Sequence, residues 1–493
     1  MDINWLFLFF FLIGLAVTLK NAFLHLFWWQ IKEYRLDRMI AHLETKEGRR
    51  LFFGPLVLIK VFVLVELWVN PLIGYPLFAF LYGGLFVKLT FDIIRKRLLL
   101  PKLTLRIWQT LVLMIAVNVW LFKTDAYLVL ALVDSLIPLT AAATTLLMGG
   151  LLKIYKARVV RLAEQKIVAS KNLTVIGVTG SFGKTSTKEF LRQILENKFL
   201  CLATPGHVNT EMGVAQFILK SLTPKHQILI VEMGAYKLGE IKALCKIVKP
   251  QIGILTAISS QHLSLFGKME NIIKTKFELV ESLPQNGLAV LNADNEYIVK
   301  NASQYHVKKI FYSAKNKRDI YATNIKISTQ SLSFDVYTKG QKQHILSNLL
   351  GRQNVPNLLS SFAVCLELGM SLKEIVKACL TLKPAEGTME IIKSKDGVIL
   401  IDDTYNINPE GVKAALDYLT SYKNMKKVAV LSPMIELGEE TEEAYEEVEK
   451  RAKEVVDKLV WTTKGHDIRE FNQKGYVILF EGKNAKKFLE ELI

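Results

Sequence analysis

The segment Gly177–Ser186 reads Gly-Val-Thr-Gly-Ser-Phe-Gly-Lys-Thr-Ser and has the residue types of a phosphate-binding loop. Glycines let backbone N–H groups approach phosphate oxygens, Lys184 supplies positive charge, and the hydroxyl of Thr185 suits Mg²⁺. An apolar, β-branched run precedes the loop, and a helical pattern follows from about 185 to 196. The strict P-loop pattern needs glycine at position 178, where this chain has valine. The sequence therefore predicts a phosphate cradle between a strand and a helix, with an unusual glycine spacing.

The spacing Gly-x-x-Gly-x-x-Gly-Lys-Thr resembles that of the Mur ligases, the ATP-dependent amide-forming enzymes of cell-wall precursor synthesis. Further motifs similar to that family follow in order: Thr204–Gly213, Val231–Ala235, His262–Gly267, Lys274–Leu279, Asn292–Asp294, Asn354–Asn357, Asp402–Pro409 and Met434–Glu439. The motifs Glu-Met-Gly-Ala, Asp-Asp-x-Tyr-Asn-x-Asn-Pro and Glu-Leu-Gly-Glu are most similar to the branch that adds D-alanyl-D-alanine. The resemblance covers about residues 170–490.

The resemblance implies a reaction in which ATP activates a carboxylate as an acyl phosphate, which an amine then attacks. Lys184 would bind the β- and γ-phosphates, while Thr185, Glu232 and His262 would hold Mg²⁺. Lys276 aligns with a family lysine that CO₂ carbamylates, and Lys184, His262 and Lys276 form the implied catalytic set. The cofactors that the resemblance implies are ATP and Mg²⁺.

Two larger sets of binding residues follow from the same resemblance. The implied nucleotide-binding residues are Gly180, Ser181, Gly183, Lys184, Thr185, Ser186, Asn292, Asn354, Asn357 and Asp403. The implied substrate-binding residues are Asn209, Thr210, Tyr405, Asn406 and Asn408. Simpler interpretations stand beside them: a solvated helix lysine for Lys276, a helix N-terminus for the asparagine pair, and an ordinary turn at Asp402-Asp403.

The sequence also departs from the family pattern. Thr388 stands where the family has a phosphate-contacting arginine, and Gln353 stands where it has a histidine. The family's C-terminal Lys-Gly-Ser-Arg strand is expected to be absent. An apolar N-terminal region replaces the usual UDP-sugar-binding domain, so binding of a UDP-muramyl peptide in the family's manner does not follow from the resemblance.

The chain has 493 residues, is 51% hydrophobic and carries a net charge of +17. Such a charge fits either a nucleic-acid surface or a membrane protein with basic cytoplasmic loops. Residues 1–171 contain 21 Lys or Arg and 10 Asp or Glu, so a net +11 falls in the most apolar third. This distribution and the lack of nucleic-acid motifs predict a membrane region and no nucleic-acid partner.

Five apolar segments are predicted to cross the membrane, which requires about 20 residues, and the first and third of them are short. They are Trp5–Leu19, Leu51–Val69, Leu72–Val87, Ile107–Phe122 and Ala126–Leu152. The segments 20–50, 88–106 and 153–171 hold seven, six and six Lys or Arg, whereas the alternate loops are nearly uncharged. The positive-inside rule then places the N-terminus outside and the C-terminus inside.

Three ionisable residues, Lys60, Glu66 and Asp134, fall inside these predicted spans. Charged groups are costly in lipid, so they pair with one another or face a cavity. The sequence favours pairing between helices over a polar site for a lipid headgroup.

The predicted fold class is an α-helical membrane region followed by α/β domains. The membrane domain covers 1–164, a doubly wound P-loop ATPase domain 165–386, and a Rossmann-like domain 387–493. Four cysteines without Cys-x-x-Cys spacing are typical of a reduced compartment.

The predicted function is a membrane-anchored ATP-dependent ligase with cytoplasmic catalytic domains in the plasma membrane. Its partners would be the lipid bilayer, a cell-envelope precursor and an amino acid or dipeptide donor. Two alternatives remain open at this point: a ligase similar to poly-γ-glutamate synthase, and a non-catalytic membrane scaffold that binds nucleotide. Retention of Lys184, Glu232, His262 and Lys276 favours an enzyme, whereas Thr388 favours the scaffold.

Overall fold

The computed structural model describes residues 5–32, 34, 36–43, 48–49, 54–121, 126–393, 397–434, 441–463 and 468–493. The whole Glu-Leu-Gly-Glu motif and the loop 123–125 lie outside these described residues. The chain divides into two compact units after Ala157.

The described part of the first unit is helical. Its helices are α1 (Trp5–Ile31), α2 (Leu36–Leu43), α3 (Pro55–Val69), α4 (Pro71–Ile94), α5 (Leu105–Leu121) and α6 (Ala126–Ala169), whose last residues belong to the second unit. Proline at the first position begins both α3 and α4, where its missing N–H costs no helical hydrogen bond. Apolar side chains from α1, α3, α4 and α6 form one interior cluster, and those of α1, α2, α5 and α6 form another.

Three of the described helices are long and apolar enough to cross a membrane: α1, α4 and α6. Helices α3 and α5 contain 15 and 17 residues, which is below the length of about 20 that a span requires. Large apolar side chains point outward from α4, where Leu72 is 88% exposed and Phe80 is 85% exposed. The structure thus supports three of the five predicted spans by length and composition.

Two helices continue past the predicted span ends into the basic segments that follow them. Helix α1 runs on to Ile31, and α6 runs on to Ala169. Lys20 lies within α1, where its ammonium group pairs with the Asp92 carboxylate of α4 at 2.9 Å. A charged side chain with such a partner does not require the helix to end.

The pairing predicted for the charged residues of the spans is confirmed for two of them. Lys60 Nζ of α3 lies 2.6 Å from Asp134 Oδ2 of α6, and both side chains are buried. Tyr82 donates its hydroxyl to the same carboxylate at 2.9 Å, and the Asn21 amide donates to it at 2.8 Å. Four helices therefore meet at one carboxylate.

A nine-stranded sheet forms the larger part of the second unit. Its strands are β1 (Thr174–Thr179), β2 (Cys201–Ala203), β3 (Ile228–Glu232), β4 (Ile252–Leu255), β5 (Leu288–Asn292), β6 (Lys308–Ser313), β7 (Ile320–Ile327), β8 (Leu332–Thr338) and β9 (Gln341–Ser347). They lie in the order β2-β3-β1-β4-β5-β6-β7-β8-β9, parallel from β2 to β7 and antiparallel from there to β9. The sequence-based expectation of a parallel sheet with an antiparallel annex agrees with this order.

Helices cover both faces of this sheet, which explains why its inner strands are continuously apolar. They are α7 (Lys184–Leu195), α8 (Glu211–Ser221), α9 (Glu240–Val248), α10 (Leu263–Phe266), α11 (Met269–Glu281), α12 (Glu296–Ala302), α13 (Asn354–Glu367) and α14 (Leu372–Cys379). Phe190 and Phe362 pack on one face, and Ile241 and Phe277 on the other. All five residues of β3 are buried between the two layers.

A five-stranded sheet follows in the order β10-β11-β14-β12-β13. Its strands are β10 (Glu390–Lys393), β11 (Ile399–Asp403), β12 (Lys426–Leu431), β13 (Lys458–Trp461) and β14 (Tyr476–Glu481), with helices α15 (Pro409–Leu419), α16 (Thr441–Val455) and α17 (Ala485–Glu490). Only β10 is antiparallel to its neighbour among these described strands.

The expectation that the last strand is absent is wrong. Strand β14 lies between β11 and β12 at the centre of this sheet. It ends in Glu481-Gly482-Lys483, so its turn differs from the family pattern although the strand is present.

Candidate functional site

A cleft of about 680 Å³ in the second unit gathers most of the predicted site residues. Its walls come from the loops that follow β1, β3 and β4, from the start of α13, and from the loops at the carboxyl ends of β11, β12 and β14. Ligands of parallel α/β sheets bind at this edge, because loops of adjacent strands converge there. The cleft is therefore where the topology of both sheets leads us to expect a ligand.

The Gly-rich loop joins β1 to the N-terminus of α7. Gly183 has φ +78°, and a Cβ atom there would lie 2.7 Å from Asn357 Oδ1. A Cβ atom on Gly180 would lie 2.0 Å from Thr256 Oγ1. Because both positions exclude a side chain, the loop keeps its backbone close to its neighbours and leaves the N-terminus of α7 open to the cleft.

Lys184, the first residue of α7, folds back over this loop. Its ammonium group donates to the carbonyl oxygens of Gly180 at 2.9 Å and Ser181 at 3.0 Å. Burial lowers the pKa of Lys184, and the nearby Glu232 carboxylate opposes that shift. A positive charge so placed at a helix N-terminus favours an anionic ligand.

Glu232, at the end of β3, is the hub of the polar contacts in the cleft, and it is only 2% exposed. The Thr185 hydroxyl lies 3.0 Å from one carboxylate oxygen, and Lys188 Nζ lies 3.5 Å from the same oxygen. The Asn209 amide donates to the other oxygen at 3.1 Å. A hydroxyl and a carboxylate this close are the oxygen ligands that Mg²⁺ takes in proteins, so Thr185 and Glu232 fit the implied metal.

His262 contributes to the cleft from the N-cap of α10, where its φ of +67° is rare for a residue other than glycine. Its ring meets Tyr236 edge-on, with ring centroids 4.9 Å apart. Among the described residues, no group of three or more His, Cys, Asp and Glu side chains forms a metal cluster. The fit to Mg²⁺ therefore rests on Thr185 and Glu232 rather than on His262.

Lys276 reaches the cleft from α11 and is only 4% exposed. Burial, and then the charge of Lys184, lower its pKa to about 7, although Glu240 and Glu278 oppose the shift. The interpretation of Lys276 as a solvated helix lysine is wrong. The lowered pKa leaves more of its amine unprotonated near neutral pH than an ordinary lysine has, and a reaction with CO₂ requires that unprotonated form.

Tyr405 crosses from the five-stranded sheet to the Gly-rich loop. Its hydroxyl lies 3.3 Å from Thr185 Oγ1, and its ring stacks on His207 with centroids 4.7 Å apart and an angle of 8°. Tyr405 therefore contacts the two loops that flank Glu232.

Residues 178–365 match the sequence profile of the Mur ligase middle domain, and residues 387–485 match that of the Mur ligase glutamate ligase domain. Together the two regions make up more than half of the chain. The chain belongs to the Mur ligase family.

Curated relatives of this Mur ligase are about a third identical to it within the aligned region. The UDP-N-acetylmuramoyl-tripeptide–D-alanyl-D-alanine ligase of Escherichia coli K12 is 32% identical over 57% of this chain and 62% of that protein. The protein of the same name from Bacillus subtilis 168 is 30% identical over 55% of this chain and 59% of that protein. The chain thus spans less than two thirds of the length of these relatives.

Solved structures of Mur ligases are similar over about two thirds of the chain. MurF from Acinetobacter baumannii aligns with a TM-score of 0.62 and 26% identity, covering 68% of this chain and 80% of that one. MurF from Thermotoga maritima, solved in complex with ADP, aligns with a TM-score of 0.60 and 28% identity, covering 68% and 83%.

The cleft of this Mur ligase contains nearly all of the residues that the sequence analysis predicted to bind nucleotide, metal or substrate. Lining it are Ser181, Gly183, Lys184, Thr185, Ser186, Asn209, Glu232, His262, Lys276, Asn292, Asn354, Asn357, Asp403, Tyr405, Asn406 and Asn408. Gly180 and Thr210 do not line it: Gly180 packs against Thr256, and Thr210 is the N-cap of α8.

The simpler interpretations of the polar pairs hold in part. Helix α13 begins at Asn354, so the interpretation of the asparagine pair as a helix N-terminus is confirmed. Both Asn354 and Asn357 also line the cleft. Asp402 accepts hydrogen bonds from the N–H and hydroxyl of Thr404 and so forms the turn. Asp403 is the acid that faces the cleft.

Sequence reasoning missed several residues at or beside the Mur ligase cleft, among them Lys188, His207 and Glu481. Lys188 follows Lys184 by four residues, so both lie on one face of α7, and this spacing was an available signal. His207 stacks on Tyr405, and Glu481 lies beside Asp403 across two strands. No local pattern marks these last two, because their partners are distant in sequence.

Proposed function

We propose that this Mur ligase is a membrane-anchored ATP-dependent amide ligase that acts on a cell-envelope precursor through an acyl phosphate. One observation carries the proposal: Lys184, Thr185, Glu232 and Lys276 line one cleft, although they come from three separate elements. Cation, hydroxyl, carboxylate and a weakly basic amine are the groups that such a reaction needs. The proposed ligase activity and the choice of a cell-envelope precursor agree with the names of the curated relatives, which are UDP-N-acetylmuramoyl-tripeptide–D-alanyl-D-alanine ligases.

ATP binding is proposed at the Gly-rich loop. The N-terminus of α7 and Lys184 provide positive potential for the phosphates, and the two glycines keep the space clear of side chains. Asn292, Asn354 and Asn357 provide amide groups for the base, and Asp403 provides a carboxylate for the ribose. Bound Mg²⁺ would neutralise phosphate charge, held by Thr185 and Glu232.

The chain's own residues position the reactants. Lys184 would place its ammonium group against the phosphate oxygens, where it stabilises the charge that develops during phosphoryl transfer. Lys188 and Asn209 hold the Glu232 carboxylate in one orientation. Tyr405 closes the side of the cleft above Thr185 and limits the entry of water. Positioning of this kind is the main contribution that such a site makes.

Lys276 is proposed to react with CO₂ to form a carbamate. The free amine attacks the carbon of CO₂, and the proton that leaves the nitrogen goes to solvent. A cation thereby becomes an anion in the same buried place, which would complete the acidic side of the cleft. The lowered pKa of Lys276 supports this step.

We propose that residues 1–164 form the membrane domain, 165–386 the P-loop ATPase domain and 387–493 a Rossmann-like domain. The basic segments of the N-terminal region place the N-terminus outside and the catalytic domains in the cytoplasm, where ATP is available. The protein would be located in the plasma membrane.

The relatives' names supply the first substrates to test, UDP-N-acetylmuramoyl-tripeptide and D-alanyl-D-alanine. The full-length protein in detergent, supplied with ATP, Mg²⁺ and both substrates, should release phosphate and form a product heavier by the dipeptide less one water. Lys184→Ala should lower turnover by at least about 100-fold. Lys274→Ala removes an exposed lysine from the same region and should retain turnover. Turnover that survives Lys184→Ala would refute the proposed site.

A non-catalytic scaffold that binds nucleotide is the second candidate. Thr388 favours it, because its hydroxyl is bonded to the Ala385 carbonyl at 2.6 Å and supplies no cation to the cleft. Tight ATP binding without phosphate release, with every acceptor and amine supplied, would establish the scaffold in place of the ligase.

A further inference from the structure

One aromatic contact joins loops of the two sheets at the cleft. His207, in the loop after β2, stacks on Tyr405, in the loop after β11, with an angle of 8° between the rings. The His207 backbone also bonds to the Tyr405 hydroxyl. Both residues line the cleft. A stacked contact restricts rotation of the Tyr405 side chain, because turning the ring would break the contact.

The loop that carries His207 is fixed to the end of β3. Thr204 Oγ1 accepts from the backbone N–H of Glu232 at 3.0 Å. Further along the loop, the Asn209 amide donates to the Glu232 carboxylate at 3.1 Å, and the Asn209 carbonyl accepts from the Gly234 N–H at 3.0 Å. His207 lies between these two anchors, so its position is set by the strand that supplies Glu232.

The backbone of His207 has a conformation that few residues other than glycine adopt. Its φ is +64°, in the left-handed region. Such conformations persist where surrounding contacts hold them, and they occur most often at functional sites. The side chain is exposed, so burial in a core does not account for it. The stack on Tyr405 is the contact that gives this conformation a use.

Tyr405 is held at both of its ends. Its backbone N–H donates to the Gly387 carbonyl at 2.9 Å, which fixes it to the five-stranded sheet's side of the cleft. Its hydroxyl lies 3.3 Å from Thr185 Oγ1, which in turn lies 3.0 Å from the Glu232 carboxylate. The hydroxyl stays at Thr185 only while the ring keeps its plane, and the ring of His207 packs against that plane.

We infer that His207 is a positioning residue, which holds the Tyr405 ring across the cleft and thereby keeps water from the reacting carboxyl group. The inference rests on the acyl phosphate of the proposed function. In that reaction the amine nitrogen attacks the carbonyl carbon and loses a proton to solvent, and phosphate leaves with the electrons of the broken C–O bond. Water that attacks the same carbon returns the carboxylate and releases phosphate without forming an amide. An enclosed site suppresses this side reaction.

The test measures the phosphate released per amide formed by the full-length protein in detergent, supplied with ATP, Mg²⁺, UDP-N-acetylmuramoyl-tripeptide and D-alanyl-D-alanine. His207→Asn introduces a residue that tolerates positive φ and removes the ring. It should raise this ratio by at least about threefold, while the KM for ATP stays within about twofold of the wild-type value. His207→Phe keeps a ring and should retain the wild-type ratio. His306→Asn changes an exposed histidine outside the cleft and is the matched control.

Two further variants test whether the effect passes through Tyr405. Tyr405→Leu removes the other ring of the stack and should raise the ratio at least as much as His207→Asn does. Adding His207→Asn to Tyr405→Leu should raise it no further, because the contact is already broken.

Hydrogen exchange provides a measurement that needs no turnover. His207→Asn should speed exchange in the peptide that contains Tyr405 by at least about threefold, because a less restrained loop opens more often. His207→Phe should leave that exchange at the wild-type rate.

Each other result overturns the inference. An unchanged ratio in His207→Asn would show that the stack does not exclude water, and an unchanged ratio with a raised KM would assign His207 to ligand binding. A ratio for His207→Phe as high as that for His207→Asn would assign the role to the imidazole nitrogens. If His207→Asn does not fold, as judged by its melting temperature, Tyr405→Leu tests the same ratio. A wild type that forms no amide would refute the proposed function, and the exchange comparison would still decide whether His207 holds Tyr405.

Discussion

The Glu232 carboxylate interacts with two lysines of α7, Lys184 and Lys188, and burying such charges costs free energy. Lys188 and Glu232 are both almost fully buried, and Lys184 and Lys276 line the same space. A buried ion pair adds little net stability, because desolvation offsets most of the attraction. The buried Lys188–Glu232 pair is therefore better explained by its place beside the cleft than by the stability of the fold.

Lys276 provides a prediction at the scale of one residue. Cyanate reacts with neutral amines, and at pH 7 about half of the Lys276 side chain is neutral. An ordinary lysine, with a pKa near 10.4, is almost entirely protonated at that pH. Cyanate should therefore label Lys276 at least about tenfold faster than exposed Lys274, as peptide mass spectrometry would measure.

The rate at which cyanate labels Lys276 should depend on pH in one direction. Labelling of Lys276 should rise about tenfold per pH unit below 7 and level off above 7, because the amine is then already neutral. Saturating ATP should slow the labelling, since Lys276 lines the nucleotide cleft. A rate for Lys276 no greater than that for Lys274 at pH 7 would contradict the lowered pKa.

At the scale of elements, the Gly-rich loop requires both a positive φ angle and the absence of a side chain at Gly183. Gly183 and Gly239 both have positive φ, at +78° and +89°, and both precede a helix. A Cβ atom at 183 would meet Asn357 Oδ1 at 2.7 Å, whereas a Cβ atom at 239 would meet nothing within 4 Å. The two positions thus separate backbone strain from steric conflict.

Gly183→Ala should weaken ATP binding by at least about tenfold, while Gly239→Ala should bind ATP nearly as the wild type does. Both variants incur a similar backbone penalty of about 1 kcal/mol, and the close approach to Asn357 should lower the melting temperature of Gly183→Ala further. Equilibrium binding of ATP and thermal unfolding are the two measurements. Equal losses of ATP binding would show that the close approach to Asn357 has no role.

The sequence predicts the elements best where the signal is local. The Gly-rich loop, the acid at the end of β3 and the lysine of α11 follow from short motifs, and the cleft contains them all. The Asp403–Glu481 pair depends on strand register across more than seventy residues, and no periodic pattern encodes that register. Helix α1 continues beyond its apolar segment. The sequence could not predict this from local residues, because Asp92, the partner of Lys20, lies on another helix.

At the scale of the whole molecule, the first unit has a polar centre that its helices share. Lys60, Tyr82 and Asn21 all bond to the buried carboxylate of Asp134. Breaking a buried ion pair on one side leaves an uncompensated charge, whereas replacing both partners with apolar residues is often tolerated. The contact therefore specifies which helices meet more than it stabilises them.

Lys60→Met should lower the yield of monodisperse protein extracted in detergent and its melting temperature. The double variant Lys60→Met with Asp134→Leu should recover much of both, because it buries no unpaired charge. Lys88→Met changes an exposed lysine of α4 and serves as the control. A double variant as damaged as Lys60→Met alone would show that the pair has a role beyond helix pairing.

Orientation in the membrane is the last property that the charge distribution predicts. The first 171 residues hold most of the net charge of +17, and they hold it in alternate segments. Positive charge near membrane helices is retained on the cytoplasmic side. A fluorescent protein fused after Ile493 should therefore be cytoplasmic, and alkaline phosphatase inserted at Thr124 should be active outside.

Moving positive charge tests the cause of this orientation. Replacing Arg95, Lys96 and Arg97 with glutamine while adding three lysines beside Thr124 should increase the fraction of chains with inverted topology, because the rule acts through short loops. Inverted chains would carry Lys184 and Glu232 to the side without ATP, so the ligase activity of membranes should fall in proportion. An alkaline phosphatase signal from the C-terminal fusion of the unaltered chain would contradict both the orientation and a cytoplasmic ligase. Charge placement at the N-terminus and nucleotide chemistry at the cleft thus depend on the same topology.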